Sequence, residues 1–141
     1  MKHMEYLHNS PILGIAHHKI VLDDCGTPVD YEFLEVNASF STMTGLQHKN
    51  LIGKTVREAI PGIDTSGFDW IGCFGAIALN GGDKVFEEFS EPLGKWYRVH
   101  VYSTEPLYFT TVFIDITEPV LQNQEKDQDG NSKSGFHRFS E

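Results

Sequence analysis

Three consecutive strand-like runs, joined by turns too short to hold a helix, constrain the fold of this 141-residue chain more than any other feature. They read "KVFEEFSE", "KWYRVHVYS" and "LYFTTVFIDIT", and side chains alternate between two faces along the first two. In the second run Tyr97, Val99 and Val101 share one face, while Arg98 and His100 share the other. The short connections "PLG" and "TEPL" favour antiparallel neighbours. The last third of the ordered sequence therefore predicts an antiparallel sheet.

Two further strand-like runs lie near the N-terminus. "GIAHHKIVLDD" is rich in Ile and Val, and the turn-forming residues of "DDCGTPVD" separate it from "YEFLEVN". This arrangement predicts a β-hairpin. Regular alternation along its second strand places Tyr31, Phe33 and Glu35 on one face and Leu34 and Val36 on the other.

Capping residues and apolar spacing predict helices between the two groups of strands. Asn37 precedes "ASFSTMT" and Gly45 follows it, which is the N-cap and C′ pattern of a helix of about two turns. Leu51, Val56 and Ile60 have helical spacing in the next segment, which Gly and Pro residues bound.

A longer amphipathic helix is predicted in "WIGCFGAIALN". Its apolar residues Trp70, Phe74, Ile77 and Ala78 stand at positions i, i+4, i+7 and i+8, and two glycines at 81–82 end it. Two strands, several helices and three strands in this order predict an α+β domain, with an antiparallel sheet and its helices on one face.

Charge and cysteine content exclude some classes of function. With 20 acidic and 11 basic residues the formal net charge is −9, which argues against binding to nucleic acid or to an anionic membrane surface. No run approaches the roughly 18 apolar residues of a membrane span. Cys25 and Cys73 match no disulfide or metal spacing and are interpreted as free thiols in a reducing compartment. We therefore expect a cytoplasmic location, either alone or as the soluble part of a membrane-bound sensor.

Several short motifs, taken in order, resemble one family. Val36, Asn37, Phe40, Thr44 and Gly45 form the block "VN-x-x-F-x-x-x-TG", followed by "LIGK", "WYRVHVYS" and "DITE". Together they resemble a PAS domain of the bacterial sensory-box type, as found in sensor histidine kinases and diguanylate cyclases. The resemblance implies a five-stranded antiparallel sheet with short helices and one longer helix, and a cavity between the sheet and the longer helix.

The resemblance divides the chain into three parts. It implies an N-terminal extension at 1–9, a PAS domain at 10–118, and at 119–141 a polar linker or tail to an output module that these residues do not contain. The chain is thus expected to be a piece of a longer sensor. Phe136 and Phe139 are the only large apolar residues of the polar stretch after 121, and the sequence assigns them no role.

The resemblance implies a sensory function and no catalysis by this domain; whether the full-length protein is an enzyme stays open. Such a domain binds a small ligand or forms a homodimer, and it passes a conformational signal to its own output module. A ligand-free interaction module is one alternative, expected if the cavity holds only one or two waters. A small cone-shaped α+β enzyme is another, expected if a buried carboxyl of raised pKa lies in the cavity.

Candidate site residues follow from the predicted elements and the resemblance. The candidates to line a ligand pocket are large and apolar, with core packing as the alternative for each: Phe33, Phe40, Trp70, Phe74, Ile77, Val99, Val101 and Phe113. They favour an apolar or aromatic ligand. Asp115 and Thr117 are the candidate signal relay, and Thr117 is the predicted N-cap of a connecting helix with Pro119 in its first turn.

The resemblance gives no firm cofactor. The flavin-photosensing branch of the family needs a reactive Cys, and the corresponding segment "HKNLIGKT" has none. Haem-binding branches need an axial His on or near the long helix, which contains no His, and leave His48 and His100 as weak candidates. His17 and His18 are adjacent in a strand, so one is expected to pack inside while the other faces solvent, and no metal site is predicted. Glu87 or a neighbouring glutamate is expected to form an ion pair with Arg98 on the adjacent strand, which explains the charged residues of these two strands.

Overall fold

One five-stranded antiparallel sheet forms the centre of the computed structural model, which describes residues 12–126. Its strands are β1 (Gly14–Leu22), β2 (Pro28–Val36), β3 (Gly82–Ser90), β4 (Lys95–Glu105) and β5 (Tyr108–Asp115). Their order across the sheet is β2-β1-β5-β4-β3. The predicted α+β class and both predicted groups of strands are confirmed. The predicted extension at 1–9 and the tail with Phe136 and Phe139 lie outside the described residues.

A β-bulge changes which residues of β2 face the core. His17 pairs with Glu35 and His18 pairs with Phe33, so Leu34 is an extra residue between two paired positions. Val36 is consequently buried and Glu35 is exposed. The alternation predicted from the sequence was wrong here, because the bulge shifts the side-chain period by one residue.

Short helices connect the two groups of strands. They are α1 (Ala38–Thr44), α2 (Val56–Ala59) and α3 (Trp70–Asn80), with 3-10 turns at His48–Asn50 and Ile63–Thr65. The caps of α1 are confirmed, since Asn37 Oδ1 accepts the Phe40 N–H at 2.9 Å and Gly45 has a left-handed φ of 78°.

The helical segment predicted from Leu51 to Ile60 is shorter than its spacing indicated. Gly53 has a φ of 83°, which is incompatible with a continuous helix, and α2 begins only after it. Thr55 and Glu58 then form a capping box that fixes the start of this four-residue helix.

The longest internal helix, α3, lies across the inner face of the sheet. Asp69 caps its N-terminus by accepting the Gly72 N–H at 2.9 Å. Trp70 and Phe74 are buried, as the predicted stripe required, whereas Ile77 is only half-buried. Beneath the helix the core is closely packed by aromatic and aliphatic side chains of β1, β2, β4 and β5.

A last helix, α4 (Thr117–Lys126), leaves the end of β5. The prediction that Thr117 caps it was wrong: Thr117 is its first residue, and the threonine hydroxyl accepts the Trp96 N–H of β4 at 2.9 Å. The neighbouring strand thus uses the oxygen that would otherwise cap the helix. Pro119 lies in the first turn as predicted. Within residues 12–126 no helix combines the length and the apolar character needed to cross a membrane.

Candidate functional site

A cavity of about 30 Å³ lies between the inner face of the sheet, α1, α3 and the adjoining turns. Its walls are mostly aromatic and aliphatic. The lining residues are His18, Tyr31, Phe33, Phe40, Thr44, Ile60, Ile63, Trp70, Ser90, Leu93, Tyr97 and Phe113. On this scale one water needs about 10–15 Å³, so the volume corresponds to about two waters.

Four of the eight candidate pocket residues, Phe33, Phe40, Trp70 and Phe113, line this cavity. The other four, Phe74, Ile77, Val99 and Val101, are not part of its lining. Three of these are fully buried in the core, and Phe74 fills the space between α3 and the sheet, 5.5 Å from Phe109 between ring centroids. A contact between any of the eight and a ligand stays a prediction.

The sequence did not identify the polar part of the lining. An imidazole and four hydroxyls are added to the aromatic wall by His18, Tyr31, Thr44, Ser90 and Tyr97. Alternation along β4 already placed Tyr97 beside Val99, on the inner face. What alternation could not provide was the position of the cavity along that face, which the turns before α3 determine.

His18 is the buried member of the histidine pair, as predicted for one of the two, and is enclosed by rings. It stacks on Phe109 at 4.7 Å and meets Tyr31 and Phe33 edge-on at 4.8 and 5.0 Å. Its Nε2 lies 3.1 Å from Thr111 Oγ1.

Burial is the main influence on the protonation of this imidazole. It lowers the pKa of His18 from 6.5 to about 3, and repulsion from His17 acts in the same direction. The Glu32 carbonyl, which accepts a hydrogen bond from the imidazole, acts on this pKa in the opposite direction. His18 is therefore neutral at neutral pH, and the lining as a whole carries no charged side chain.

Tyr97 connects the cavity with the end of the sheet. Its ring meets Phe113 edge-on at 5.3 Å, and in the β4–β5 register it stands opposite Asp115. Burial raises the pKa of the Tyr97 hydroxyl, and the charge of Asp115 raises it further. The same residue thus belongs to the cavity wall and responds to a carboxylate at the sheet exit.

The sheet exit, from Asp115 to Val120, is held by a small set of contacts. Asp115 Oδ1 accepts the Thr117 N–H at 2.9 Å, and Oδ2 lies 3.8 Å from Lys95 Nζ. Lys95 Nζ also donates to the Met43 carbonyl of α1 at 2.8 Å. Both candidate relay residues therefore lie at one junction, where β4, β5, α1 and α4 meet.

His48 and His100, the weak candidates for an axial haem ligand, have partly exposed side chains paired with carboxylates. His48 Nε2 is 3.9 Å from a Glu35 carboxylate oxygen, and His100 Nε2 is 3.0 Å from Asp83 Oδ2. Neither lines the cavity, and in the described part of the chain no three His, Cys, Asp or Glu side chains are grouped to hold a metal ion. The predicted cross-strand ion pair is confirmed between Glu87 and Arg98, at 2.6 Å.

The cavity does not fit a flavin. Pockets for molecules of drug size are roughly 300 Å³ or larger, about ten times this volume. The two thiols, of Cys25 in the β1–β2 turn and Cys73 on α3, are also outside the lining. The enzymatic alternative requires a buried carboxyl in the cavity, and the lining residues include none.

Comparison with known proteins identifies the fold. No family model and no curated protein sequence matches the chain. Among solved structures, an RNA-binding light-oxygen-voltage receptor is 14% identical with a TM-score of 0.63, over 96% of this chain and 38% of the receptor. A domain of an HTR-like protein from Haloarcula marismortui ATCC 43049 is 24% identical with a TM-score of 0.51, over 77% of this chain and 100% of that domain.

A third solved structure, a light-oxygen-voltage domain studied with a flavin analogue, matches over most of both chains. It is 12% identical with a TM-score of 0.52, over 92% of this chain and 93% of that domain. At these identities the similarity establishes the fold and nothing further. The chain has the PAS fold that its motifs resemble, with a small cavity against the sheet and an exit helix after β5.

Proposed function

We propose that this chain is a sensory PAS domain in which the occupant of the cavity changes the geometry of the sheet exit. An output module that follows α4, of the histidine kinase or diguanylate cyclase kind, would read that change. One observation carries the proposal: Tyr97 lines the cavity and stands opposite Asp115, whose side chain bonds the first residue of α4.

The proposed coupling between the cavity and α4 is local and involves few residues. An occupant that pushes on Phe113 or Tyr97 acts on the last residues of β5 and the first residues of β4. Those residues hold α4 through the bonds from the Ile116 N–H to the Trp96 carbonyl and from the Trp96 N–H to the Thr117 hydroxyl, both 2.9 Å. A difference in occupant affinity of about 1–3 kcal/mol between two exit geometries would be enough to shift their populations.

The size of the cavity favours a second candidate function. A volume of about 30 Å³ admits about two waters, which is the condition under which a ligand-free interaction module was expected. Such a domain would act by forming a homodimer or by binding its own output module.

Native mass spectrometry of the protein as purified, with an absorbance spectrum, separates the two functions. A sensor that retains its occupant gives a mass above that of the polypeptide by one small organic molecule, without a visible absorbance band. A dimer of bare polypeptides would favour the interaction module instead. A Soret or flavin band would contradict both the proposed occupant and the exclusion of these cofactors.

A further inference from the structure

Two side chains of the cavity wall each bury a polar atom that lacks a hydrogen-bond partner: Trp70 Nε1 and the Tyr97 hydroxyl. A buried polar group left unpaired costs about 1–3 kcal/mol, and native proteins pair nearly all of them. Among the described side chains Ser41 Oγ on α1 is also unpaired but is outside the lining, and the imidazole of His18 has the Glu32 carbonyl as an acceptor. Two such atoms in the wall of one cavity indicate an occupant that forms hydrogen bonds there.

The chemistry of these two atoms restricts the occupant. The Trp70 indole N–H can only donate, so the occupant must carry an acceptor. The Phe68 ring, edge-to-face with this indole at 4.9 Å, is a weaker acceptor than an oxygen. The Tyr97 hydroxyl donates or accepts. An oxygen that accepts from Trp70 and can also donate matches both.

The rest of the cavity wall restricts the charge and the shape of the occupant. The lining has no charged side chain, and burying an ion without a partner costs several kcal/mol. Phe33, Phe40 and Phe113 supply aromatic faces around the polar atoms. Such walls accept a flat apolar body and reject an ion.

We propose that the cavity selects neutral molecules that join a flat, preferably aromatic body to a hydroxyl or carbonyl oxygen, of which phenol is the simplest. This inference rests on the proposed sensory function. The present volume of about 30 Å³ corresponds to about two waters, so an aromatic ring must displace part of the wall. The side chains that we expect to be displaced are Ile60, Ile63 and Leu93, because they belong to short turns and helix ends. The side chains that face them belong to the sheet.

Indole N–H resonances provide a direct test, because the chain has only two Trp, at 70 and 96. The ¹⁵N-labelled chain is titrated with phenol, toluene and benzoate, which share the ring and differ in their polar group. Phenol should shift the Trp70 indole resonance downfield and bind roughly tenfold more tightly than toluene, the worth of one hydrogen bond. Benzoate should leave the resonance unchanged.

Matched variants assign the effect to the proposed donors. Trp70→Phe and Tyr97→Phe each remove one polar atom and keep a ring, so phenol affinity should fall towards that of toluene. Trp96→Phe changes the other indole, which does not line the cavity, and should leave phenol affinity unaltered. Amide spectra of all three variants verify that the fold is retained.

The outcomes separate the chemical class from the proposed function. Toluene binding as tightly as phenol would refute the chemical class and leave a ligand-binding sensor. No shift with any probe would overturn the class and favour the ligand-free module. Phenol binding without any change at the amides of Thr117 and Val120 would support the class and count against the relay.

Discussion

At the scale of single residues, His18 has the largest electrostatic consequence. Its imidazole is neutral and buried, with a pKa lowered from 6.5 to about 3 by burial and by His17. An unfolded chain takes up a proton near pH 6.5 at this residue, whereas the folded chain does so only near pH 3. The free energy of unfolding should therefore decrease as pH falls through that window, with His18 contributing at most about 1.4 kcal/mol per pH unit.

Urea unfolding at pH 7 and pH 5 measures this effect. We expect the His18 contribution to lower the free energy of unfolding by about 2 kcal/mol over the range from 6.5 to 5. His18→Phe, which keeps a ring among Tyr31, Phe33 and Phe109, should flatten the profile. His100→Gln is the matched control at the surface and should keep the original slope. An unchanged slope in His18→Phe would show that other groups cause the acid sensitivity.

Individual residues also show which contacts the sequence alone can predict. Asn37 was correctly predicted to cap α1, because its partner Phe40 is three residues away and local spacing contains that information. The sequence did not reveal that Asn37 Oδ1 also accepts the Ile15 N–H at 2.9 Å, or that its amide donates to the Leu13 carbonyl at 2.8 Å. These contacts join residues more than twenty positions apart, and only the folded sheet brings them together.

At the scale of elements, α3 approaches the start of β2 closely at Gly75. A Cβ at this position would overlap Pro28 Cγ and stand 2.5 Å from Pro28 Cβ, far inside contact distance. Pro28 opens β2, so its ring is fixed to the sheet and cannot turn away as a flexible side chain would. The glycine here permits packing and is not required by a positive φ.

Gly75→Ala should therefore destabilise the protein even though Ala favours helix by about 1 kcal/mol over Gly. Displacement of α3 from β2 should cost more than this gain, for a net loss of about 1–3 kcal/mol in the free energy of unfolding. Ala76→Gly, at the exposed neighbouring position, is the control and should cost only the propensity term of about 1 kcal/mol. Thermal or urea unfolding compares the two, and a Gly75→Ala variant as stable as the original would contradict this account.

The elements that the sequence predicted well and those that it predicted poorly differ in the length over which their residue pattern repeats. All five strands and α3 were predicted. In these elements the buried positions recur every two residues or every 3.6 residues over many residues. The helical segment predicted from Leu51 to Ile60 was too long, because Gly53 interrupts it and leaves only the four-residue α2. The bulge at Leu34 was not predicted for a related reason: a single extra residue in a strand does not change the types of residue from which a strand is recognised. Half of the candidate pocket residues line the cavity, because the sequence identified the inner face and not the turns that bound the cavity.

At the scale of the whole molecule, the cavity and the exit helix meet at the paired ends of β4 and β5. Tyr97 and Asp115 are register partners there, and Lys95 ties the same junction to α1 through the Met43 carbonyl. A sheet transmits a displacement along its strands because its backbone is bonded on both sides. We therefore expect a displacement of the cavity wall to reach α4 through the start of β4 and the end of β5.

Asp115→Ala tests that route without reference to any output module. The change removes the acceptor of the Thr117 N–H and the carboxylate beside Lys95, so the first turn of α4 should open more often. Hydrogen exchange of the Val120 amide, which bonds the Ile116 carbonyl, should become roughly tenfold faster, while exchange in the centre of β4 stays unchanged. Asp83→Ala removes an equal charge from the exposed pair with His100 and should leave Val120 exchange as it is. Equal exchange in Asp115→Ala and the original chain would show that Asp115 does not hold the exit helix, and the relay would then have to run through Thr117 and Trp96 alone.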